Sequence, residues 1–206
     1  MPRILVASSN SGKIAEFRLA LDLRLRDDTL NKWSAAAIPN FRELSPCIED
    51  GESFTENARK KALYYSGFTP ELVLADDSGL QVDALGGAPG IYSRRFAGEH
   101  ATDLENNAKL LDAMINVPME RRGAQFVCVL AIAQNQKIMA EFRGVARGVI
   151  LRFPRGTNGF GYDPLFLDPI LQKTFAELTS EEKLERSHRG QAMRQLVGWL
   201  RSHCSP

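Results

Sequence analysis

The sequence lacks the features that would mark a membrane, secreted or nucleic-acid-binding protein. Its 26 basic and 25 acidic side chains leave a net charge of +1, so no overall field attracts nucleic acid or an acidic membrane. The longest apolar run, residues 126–133, is too short to cross a bilayer. Residues 1–7 are too short for a signal peptide. The three cysteines, Cys47, Cys128 and Cys204, have no metal-like spacing. We expect a cytoplasmic protein.

Repeats, low-complexity tracts and linkers are also absent. A length of 206 residues suits one large domain or two small lobes with a sizeable core. Hydrophobic residues make up 44% and charged residues 25%, which is ordinary for a globular protein. We therefore predict a single domain over residues 1–206.

A Walker-type phosphate loop is missing as well. That motif needs Gly-x-x-x-x-Gly-Lys-Ser/Thr, but Ala7 holds the first glycine position and Ile14 follows Lys13. Residues 3–7 still predict a buried strand, followed by a loop of small residues and a helix near Lys13. This geometry offers backbone N–H groups to a phosphate, although an ordinary turn with a solvated lysine has the same pattern.

The central stretch is residues 73–98. A short apolar run leads into the adjacent carboxylates Asp76 and Asp77, and an alternating segment and a glycine-rich loop follow. The pattern predicts strand, acidic turn, strand and loop. Paired carboxylates at a strand end suit Mg²⁺, which prefers oxygen ligands. The alternative is that Asp-Asp-Ser-Gly is simply a favourable turn.

One predicted helix carries a lysine on its apolar face. Ser53 and Glu56 have the spacing of a capping box, which predicts a helix ending near Gly67. Lys61 lies seven residues after Phe54, on the stripe that also contains Ala58, Ala62 and Tyr65. An inward lysine either extends to solvent or meets a buried anion.

Further elements follow from capping and alternation. Thr102 and Glu105 predict a helix reaching about Ile115, with Leu104, Ala108, Leu111 and Ile115 facing inward. Residues 125–133 and 137–143 predict two strands of the antiparallel part of a mixed sheet. A further strand is expected within residues 30–38.

The last third of the chain combines aromatic, glycine and charged residues. The loop at residues 156–164 holds three glycines, two aromatic residues and an acid, which suits stacking of a planar ring; a surface turn is the alternative. Thr179 caps a short helix that contains Lys183. His188 and Arg189 begin the last helix, where the helix dipole disfavours cations, so either a negative group lies nearby or the pair is solvated.

Together these are the parts of a nucleoside-triphosphate site without a Walker motif. The chain resembles the inosine triphosphate pyrophosphatase family over residues 4–196. The resemblance rests on Ser9–Lys13, Ser53–Ala58 with Lys61, Ala75–Leu80, Gly86–Ser93 with Arg95, Gly159–Pro164, Ala176–Leu178 with Lys183, and Ser187–Gly190.

The resemblance implies an α/β fold, an elongated mixed twisted β-sheet flanked by helices in two lobes with a central cleft, and a homodimer. It implies hydrolysis of ITP, dITP and XTP to the monophosphate and pyrophosphate, which cleanses the nucleotide pool. Mg²⁺ is the implied cofactor, with Mn²⁺ as an alternative. Asp77 would be the general base, and Asp77, Asp76 and Glu49 would be metal ligands.

The resemblance also implies a substrate-binding set. Phosphates would be held by Ser9, Asn10, Lys13, Lys61 and Lys183, and the base would be enclosed by residues 160–163, His188 and Arg189. The set is Ser8, Ser9, Asn10, Ser11, Gly12, Lys13, Lys61, Ser78, Arg95, Phe160, Gly161, Tyr162, Asp163, Lys183, His188 and Arg189. Two positions depart from the family pattern. Ser8 replaces a common threonine, and Ile48-Glu49 replaces Glu-Glu, so Asp50 remains an alternative ligand.

Two other functions fit parts of the pattern. A nucleotide sensor would keep the basic residues and the aromatic loop but would not need Asp76 and Asp77. A phosphatase or nuclease would use the same metal on other phosphate esters, although the near-neutral charge disfavours a nucleic-acid substrate. The identity of the product separates the three functions.

Overall fold

The chain is mixed α/β, as the sequence predicts. The computed structural model describes residues 3–25 and 33–203, and these form seven β-strands and five α-helices. The strands are β1 (Arg3–Val6), β2 (Ser34–Ala37), β3 (Leu72–Val82), β4 (Gly123–Gln134), β5 (Lys137–Ile150), β6 (Phe166–Asp168) and β7 (Lys173–Thr174). The helices are α1 (Ser11–Arg24), α2 (Phe54–Tyr65), α3 (Asp103–Ala113), α4 (Ser180–Arg186) and α5 (His188–His203). Within the described ranges, no helix is both long and apolar enough to span a bilayer.

The seven strands form one mixed sheet in the order β2-β1-β3-β4-β5-β6-β7. Strand β1 is parallel to both neighbours, with Ile4 opposite Ala35 on β2 and Leu72 on β3. Strand β6 is antiparallel to β5 and β7. The two-residue link Asn135-Gln136 between β4 and β5 has positive φ at both positions, as a tight hairpin requires. The sheet therefore has the predicted antiparallel part.

Side-chain caps define where the helices begin. Complete capping boxes start α3 at Thr102 and α4 at Thr179, as predicted. On α2 only half of the predicted box forms. Ser53 accepts a hydrogen bond from the backbone N–H of Glu56, but the Glu56 carboxylate accepts one from Glu52 instead of Ser53. Helices α2, α3 and α4 all begin directly after the predicted cap residue.

The predicted acidic turn at Asp76-Asp77 is wrong. Both residues lie inside β3, which continues without interruption from Leu72 to Val82. A turn would leave the two carboxylates in water, whereas here they are buried beside lysine and arginine side chains. The buried positive charges allow two acids to occupy a core strand.

The predicted inward face of α3 is only partly correct. Leu111 packs against the core, as predicted. However, Ala108 is exposed, Leu104 is 78% exposed and Ile115 is 65% exposed, whereas the fully buried residues are Leu110 and Met114. The buried face begins with Asn106, whose polar side chain hydrogen-bonds to backbone groups instead of packing as an apolar residue. A polar residue on the core side hid the true periodicity of the helix.

The chain divides into two compact units. The first contains the chain up to Asp77, Cys128–Gly144 and the chain from Arg189; the second contains Ser78–Val127 and Val145–His188. The second unit has a continuous hydrophobic core formed by Leu80, Val82, Leu110, Met114, Ala124, Phe126, Ala146, Ile150, Tyr162, Leu165, Phe166, Phe175 and Leu178. The predicted strand at residues 30–38 is observed as β2, while residues 30–32 and Cys204 lie outside the described residues.

Candidate active site

The β1–α1 connection brings Lys13 to Asp76. Strand β1 pairs with β3 with Val6 opposite Leu74, so the loop after β1 begins beside the strand that carries Asp76. The Asn10 side chain caps α1 by accepting a hydrogen bond from the Lys13 backbone N–H at 3.1 Å. The Lys13 ammonium then forms an ion pair with the Asp76 carboxylate. Of the other predicted residues here, Ser8 and Ser9 lie in the loop, and Ser11 and Gly12 form the first turn of α1.

Asp76 is a buried carboxylate held by two cations. Besides Lys13, the Arg189 guanidinium at the start of α5 lies 3.5 Å from Asp76, and Arg189 also pairs with Glu16. Burial alone would raise the pKa of Asp76, but the charges of Lys13, Arg189 and Lys61 lower it below its usual range. Asp76 therefore stays ionised at neutral pH. The anion expected near Arg189 is thus present.

Asp77 has a different environment from its neighbour. Its Oδ1 lies 3.5 Å from the Lys61 ammonium, and its buried Oδ2 has no hydrogen-bond partner within the described part of the chain. Burial raises the pKa of Asp77 above its ordinary value, against the opposing charges of Lys61 and Lys13. A buried carboxylate with a raised pKa and an unused oxygen is a good candidate for a general base.

Lys61 joins Asp77 to Glu49. Its ammonium donates a hydrogen bond to Glu49 at 2.9 Å, and only 8% of the residue is exposed. Burial lowers the pKa of Lys61, but Asp77, Glu49 and Asp76 together raise it above the ordinary value. Of the two alternatives for this inward lysine, the structure shows the buried anion and not extension to solvent. Asp50, the alternative ligand, pairs instead with the exposed Lys60 at 2.6 Å.

We call this group the carboxylate cluster, and it lies within the first unit. Its members are Glu49, Asp76, Asp77, Lys13, Lys61 and Arg189. Among residues 3–25 and 33–203, no group of three or more acidic, histidine or cysteine side chains is arranged to hold a metal ion. Mg²⁺ needs only one or two protein carboxylates when substrate phosphates supply other ligands. The unused Asp77 oxygen and the convergence of Glu49 and Asp77 on one positive charge fit such an ion.

Two residues of this region were missed by the sequence reasoning. Glu16 pairs with Arg189, which lies 173 residues later in the chain. The Cys128 thiol, on β4, lies 3.7 Å from Asp76, and burial raises the pKa of this thiol well above its usual value. Neither side chain belongs to a recognisable motif, so only the folded chain reveals these neighbours.

The glycine-rich loop forms a second group, the aromatic cluster, within the second unit. It consists of Phe160, Asp163 and Lys183. Asp163 accepts hydrogen bonds from the Phe160 N–H at 2.9 Å and from the Lys183 ammonium at 2.6 Å. The same ammonium lies 4.7 Å from the centroid of the Phe160 ring. The half-buried Phe160 ring thus lies beside the positively charged Lys183 ammonium.

The other predicted residues of the second unit have varied surroundings. Tyr162 is buried in the core and its hydroxyl donates to the Ser93 carbonyl at 2.8 Å, while burial raises its pKa. The buried His188 ring stacks on Phe126 with centroids 4.7 Å apart. Arg95 lies over the Tyr92 ring, and Ser78 is half-buried on β3.

The comparisons with known proteins agree on one family. The Ham1 family model matches residues 4–199. A dITP/XTP pyrophosphatase from Desulforamulus reducens is 48% identical over 195 residues, which cover 95% of this chain and 94% of that protein. A dITP/XTP pyrophosphatase from Exiguobacterium sibiricum is 46% identical and the match covers 96% of both chains.

Solved structures give the same result. The structure of a HAM1 protein from Coxiella burnetii has a TM-score of 0.83 and 42% identity, covering 98% of this chain and 100% of that one. A nucleoside-triphosphatase / dITP/XTP pyrophosphatase from Mycobacterium abscessus has a TM-score of 0.73 and 40% identity, covering 96% and 99%. The resemblance identified from the sequence motifs is confirmed.

Proposed function

The chain belongs to the Ham1 family, and from that premise we propose that it hydrolyses the non-standard purine nucleoside triphosphates dITP, ITP and XTP to the monophosphate and pyrophosphate. The observation that carries this proposal is the environment of Asp77: it is buried, its pKa is raised, and one oxygen has no hydrogen-bond partner among the described residues. Relatives that align over nearly the whole chain are named dITP/XTP pyrophosphatases. Removal of such nucleotides would keep them out of DNA and RNA.

Asp77 is assigned as the general base that takes a proton from the attacking water. In the ionised form, its unused Oδ2 is available to accept that proton as the water attacks the α-phosphorus. Lys13 and Lys61 bring positive charge to the same cluster, and the N-terminus of α1 offers backbone N–H groups. Phosphate binding is therefore assigned to Ser8–Lys13 and Lys61.

A divalent metal, which we propose is Mg²⁺ with Mn²⁺ as a substitute, would be held by Asp77 and Glu49, with Asp76 as the third ligand. When bound, such an ion neutralises triphosphate charge and orients the reacting groups. Asp76 is ion-paired with Lys13 and Arg189, whereas Glu49 and Asp77 are both ion-paired with Lys61. Because Asp50 pairs with the exposed Lys60 outside the cluster, Glu49 is preferred to Asp50 as a ligand.

Base recognition is assigned to the loop Phe160–Asp163, His188 and Arg189, whereas Lys183 is assigned to phosphate binding. The Phe160 ring offers a face for stacking. Hypoxanthine and xanthine carry a 6-oxo acceptor where adenine carries a 6-amino donor, so donors from His188 or Arg189 would favour the former. An unpaired buried donor would penalise adenine.

The test is product analysis at mildly alkaline pH with dITP, XTP, GTP and ATP, with and without Mg²⁺. We expect pyrophosphate from dITP and XTP and little from GTP or ATP. Asp77→Asn should lower kcat by about 100-fold or more while nucleotide binding persists. Orthophosphate as the direct product would indicate a phosphatase, and binding without turnover would indicate a sensor.

The assembly is proposed to be a homodimer. Sedimentation equilibrium should give twice the chain mass of 22.9 kDa. A mass of one chain at micromolar concentration would contradict this proposal.

A further inference from the structure

Helix α3 hydrogen-bonds both backbone polar groups of one residue of the glycine-rich loop, Gly161. Asp103 Oδ2 accepts a hydrogen bond from the Gly161 N–H at 2.6 Å, and Asn107 Nδ2 donates one to the Gly161 carbonyl at 3.0 Å. We propose that Asp103 and Asn107 are positioning residues that fix the loop for purine recognition. The proposal rests on the function proposed above and adds two residues to it.

The spacing of the two residues explains how one helix makes both contacts. Positions four apart on an α-helix lie on the same face, about one turn from each other. A carboxylate can only accept and an amide Nδ2 can only donate. Asp103 therefore matches the N–H of Gly161, and Asn107 matches the carbonyl. The pair thus holds the two peptide groups that flank the Gly161 Cα, one by its N–H and the other by its carbonyl.

The loop needs support from outside because its own backbone is permissive. Gly156, Gly159 and Gly161 have φ values of +77°, +75° and +64°. A Cβ added at Gly161 would meet no atom within 4 Å, so conformation and not crowding calls for glycine there. A glycine at such a position has many accessible backbone conformations unless its N–H and carbonyl are held by hydrogen bonds.

Fixing Gly161 also fixes the aromatic cluster. Gly161 follows Phe160 directly, and the Phe160 N–H donates to Asp163, which in turn binds Lys183. A rotation of the Phe160–Gly161 peptide, whose N–H is bound by Asp103, would move the Phe160 ring relative to the Lys183 ammonium, now 4.7 Å from its centroid. Recognition of a base depends on placement to within a fraction of an ångström.

Helix α3, which makes this contact, is itself fixed by its N-terminal cap and by packing in the core. Its N-terminus carries a complete capping box, and Leu110 and Met114 are fully buried in the core of the second unit. The buried Asn106 donates to the Arg94 carbonyl at 3.0 Å and accepts from the Ala97 N–H at 2.8 Å. The helix is thus anchored on both sides of Asn107.

The first test compares Asp103→Ala and Asn107→Ala with Asp112→Ala, an exposed position on the same helix. We expect KM for dITP to rise about tenfold in the first two variants with kcat within about twofold of wild type. The ratio of kcat/KM for dITP to kcat/KM for dGTP should fall in both variants. Asp112→Ala should match wild type, and Asp103→Asn, which keeps an oxygen acceptor, should restore part of the loss. A fall in kcat at constant KM would overturn the proposal.

The second test does not depend on turnover. Amide hydrogen exchange of Gly161, followed by NMR, should accelerate in Asp103→Ala and remain unchanged in Asp112→Ala. Calorimetric binding of dITP should weaken in parallel. If the wild type binds dITP without releasing pyrophosphate, the proposed reaction fails while binding still tests the two residues. Unchanged Gly161 exchange, or a wild type that does not bind dITP, would overturn the assignment of Asp103 and Asn107.

Discussion

Lys61 places one positive charge between the carboxylates of Glu49 and Asp77. The sequence indicates that this lysine faces inward, because it shares the stripe of Phe54 and Ala58 on α2. It does not indicate which anion the lysine meets. Glu49 lies in a preceding loop and Asp77 in a strand that follows α2, so only the fold brings the three together. The direction of a side chain follows from helical periodicity, but its partner follows from tertiary structure.

Lys61→Met should therefore differ sharply from Lys60→Met. Removing the buried lysine leaves Asp77 without its nearest cation, so we expect the free energy of unfolding to fall by about 2 kcal/mol. Lys60 is an exposed lysine paired with the exposed Asp50, and its replacement should leave stability unchanged. Urea denaturation of both variants measures the difference. Equal stability of the two variants would show that the Lys61 interactions contribute nothing.

Asp168 makes the stability of the protein depend on acid pH. Burial would raise the pKa of this carboxyl, but hydrogen bonds from Arg186 and from the backbone N–H groups of Ile170 and Leu171 lower it below the ordinary value. Its stabilisation is therefore present above about pH 4, the ordinary value for aspartate, and is lost as the pH falls through the lowered value.

Asp168→Asn should accordingly be less stable than wild type at pH 7 by about 1 to 3 kcal/mol. The difference should shrink as the pH falls below about 4, because the carboxyl of the unfolded chain then binds a proton, and it should be smallest once the pH has passed the lowered pKa of the folded carboxyl. Denaturation midpoints between pH 2 and 7 test this, with the exposed Asp112→Asn as the control. A difference that stays constant with pH would exclude a role for the ionised carboxylate.

At the scale of elements, Arg122 links the end of α3 to the end of β5 by hydrogen bonds to both. The guanidinium is buried and donates to the carbonyls of Ile150 at 2.7 Å, Met114 at 2.7 Å and Leu151 at 3.1 Å. The last carbonyls of a helix lack partners within the helix, so this arginine satisfies one of them. No sequence motif predicts this role, because all three acceptors are backbone atoms.

Arg122→Lys should show that the planar guanidinium is required. An ammonium cannot reproduce the fork of N–H groups, so at least one buried carbonyl loses its donor and the free energy of unfolding should fall by about 2 kcal/mol. Arg121→Lys, at the exposed neighbouring position, should behave as wild type. Chemical denaturation measures both variants. An equally small effect at the two positions would contradict the assigned role.

Elements were predicted well where backbone chemistry decides and poorly where tertiary contacts decide. The caps at Thr102 and Thr179 are local signals, and each marks the correct helix start. The link Asn135-Gln136 likewise falls between the strands predicted at residues 125–133 and 137–143. Strand β3 was interrupted in the prediction because Asp76-Asp77 has turn-like composition. Its cations come from distant parts of the chain, so no local pattern could show that the acids are buried.

At the scale of the whole molecule, the same distinction holds for the site. The motifs that carry the resemblance name Asp77, Lys13, Lys61 and Lys183 from the sequence alone. Only the folded chain shows that Arg189 pairs with Glu16 and that two side chains of α3 hydrogen-bond to Gly161. Motifs identify residues that react or bind, whereas residues that position them have no fixed spacing.

In the proposed reaction water attacks the α-phosphorus, and isotope labelling tests this point of attack most directly. Wild-type protein would hydrolyse dITP with Mg²⁺ in water enriched in ¹⁸O, and both products would be analysed by mass spectrometry. Because the oxygen of the attacking water remains bonded to the phosphorus that it attacks, we expect one ¹⁸O atom in dIMP and none in pyrophosphate. Label in pyrophosphate, or orthophosphate as the first product, would contradict it.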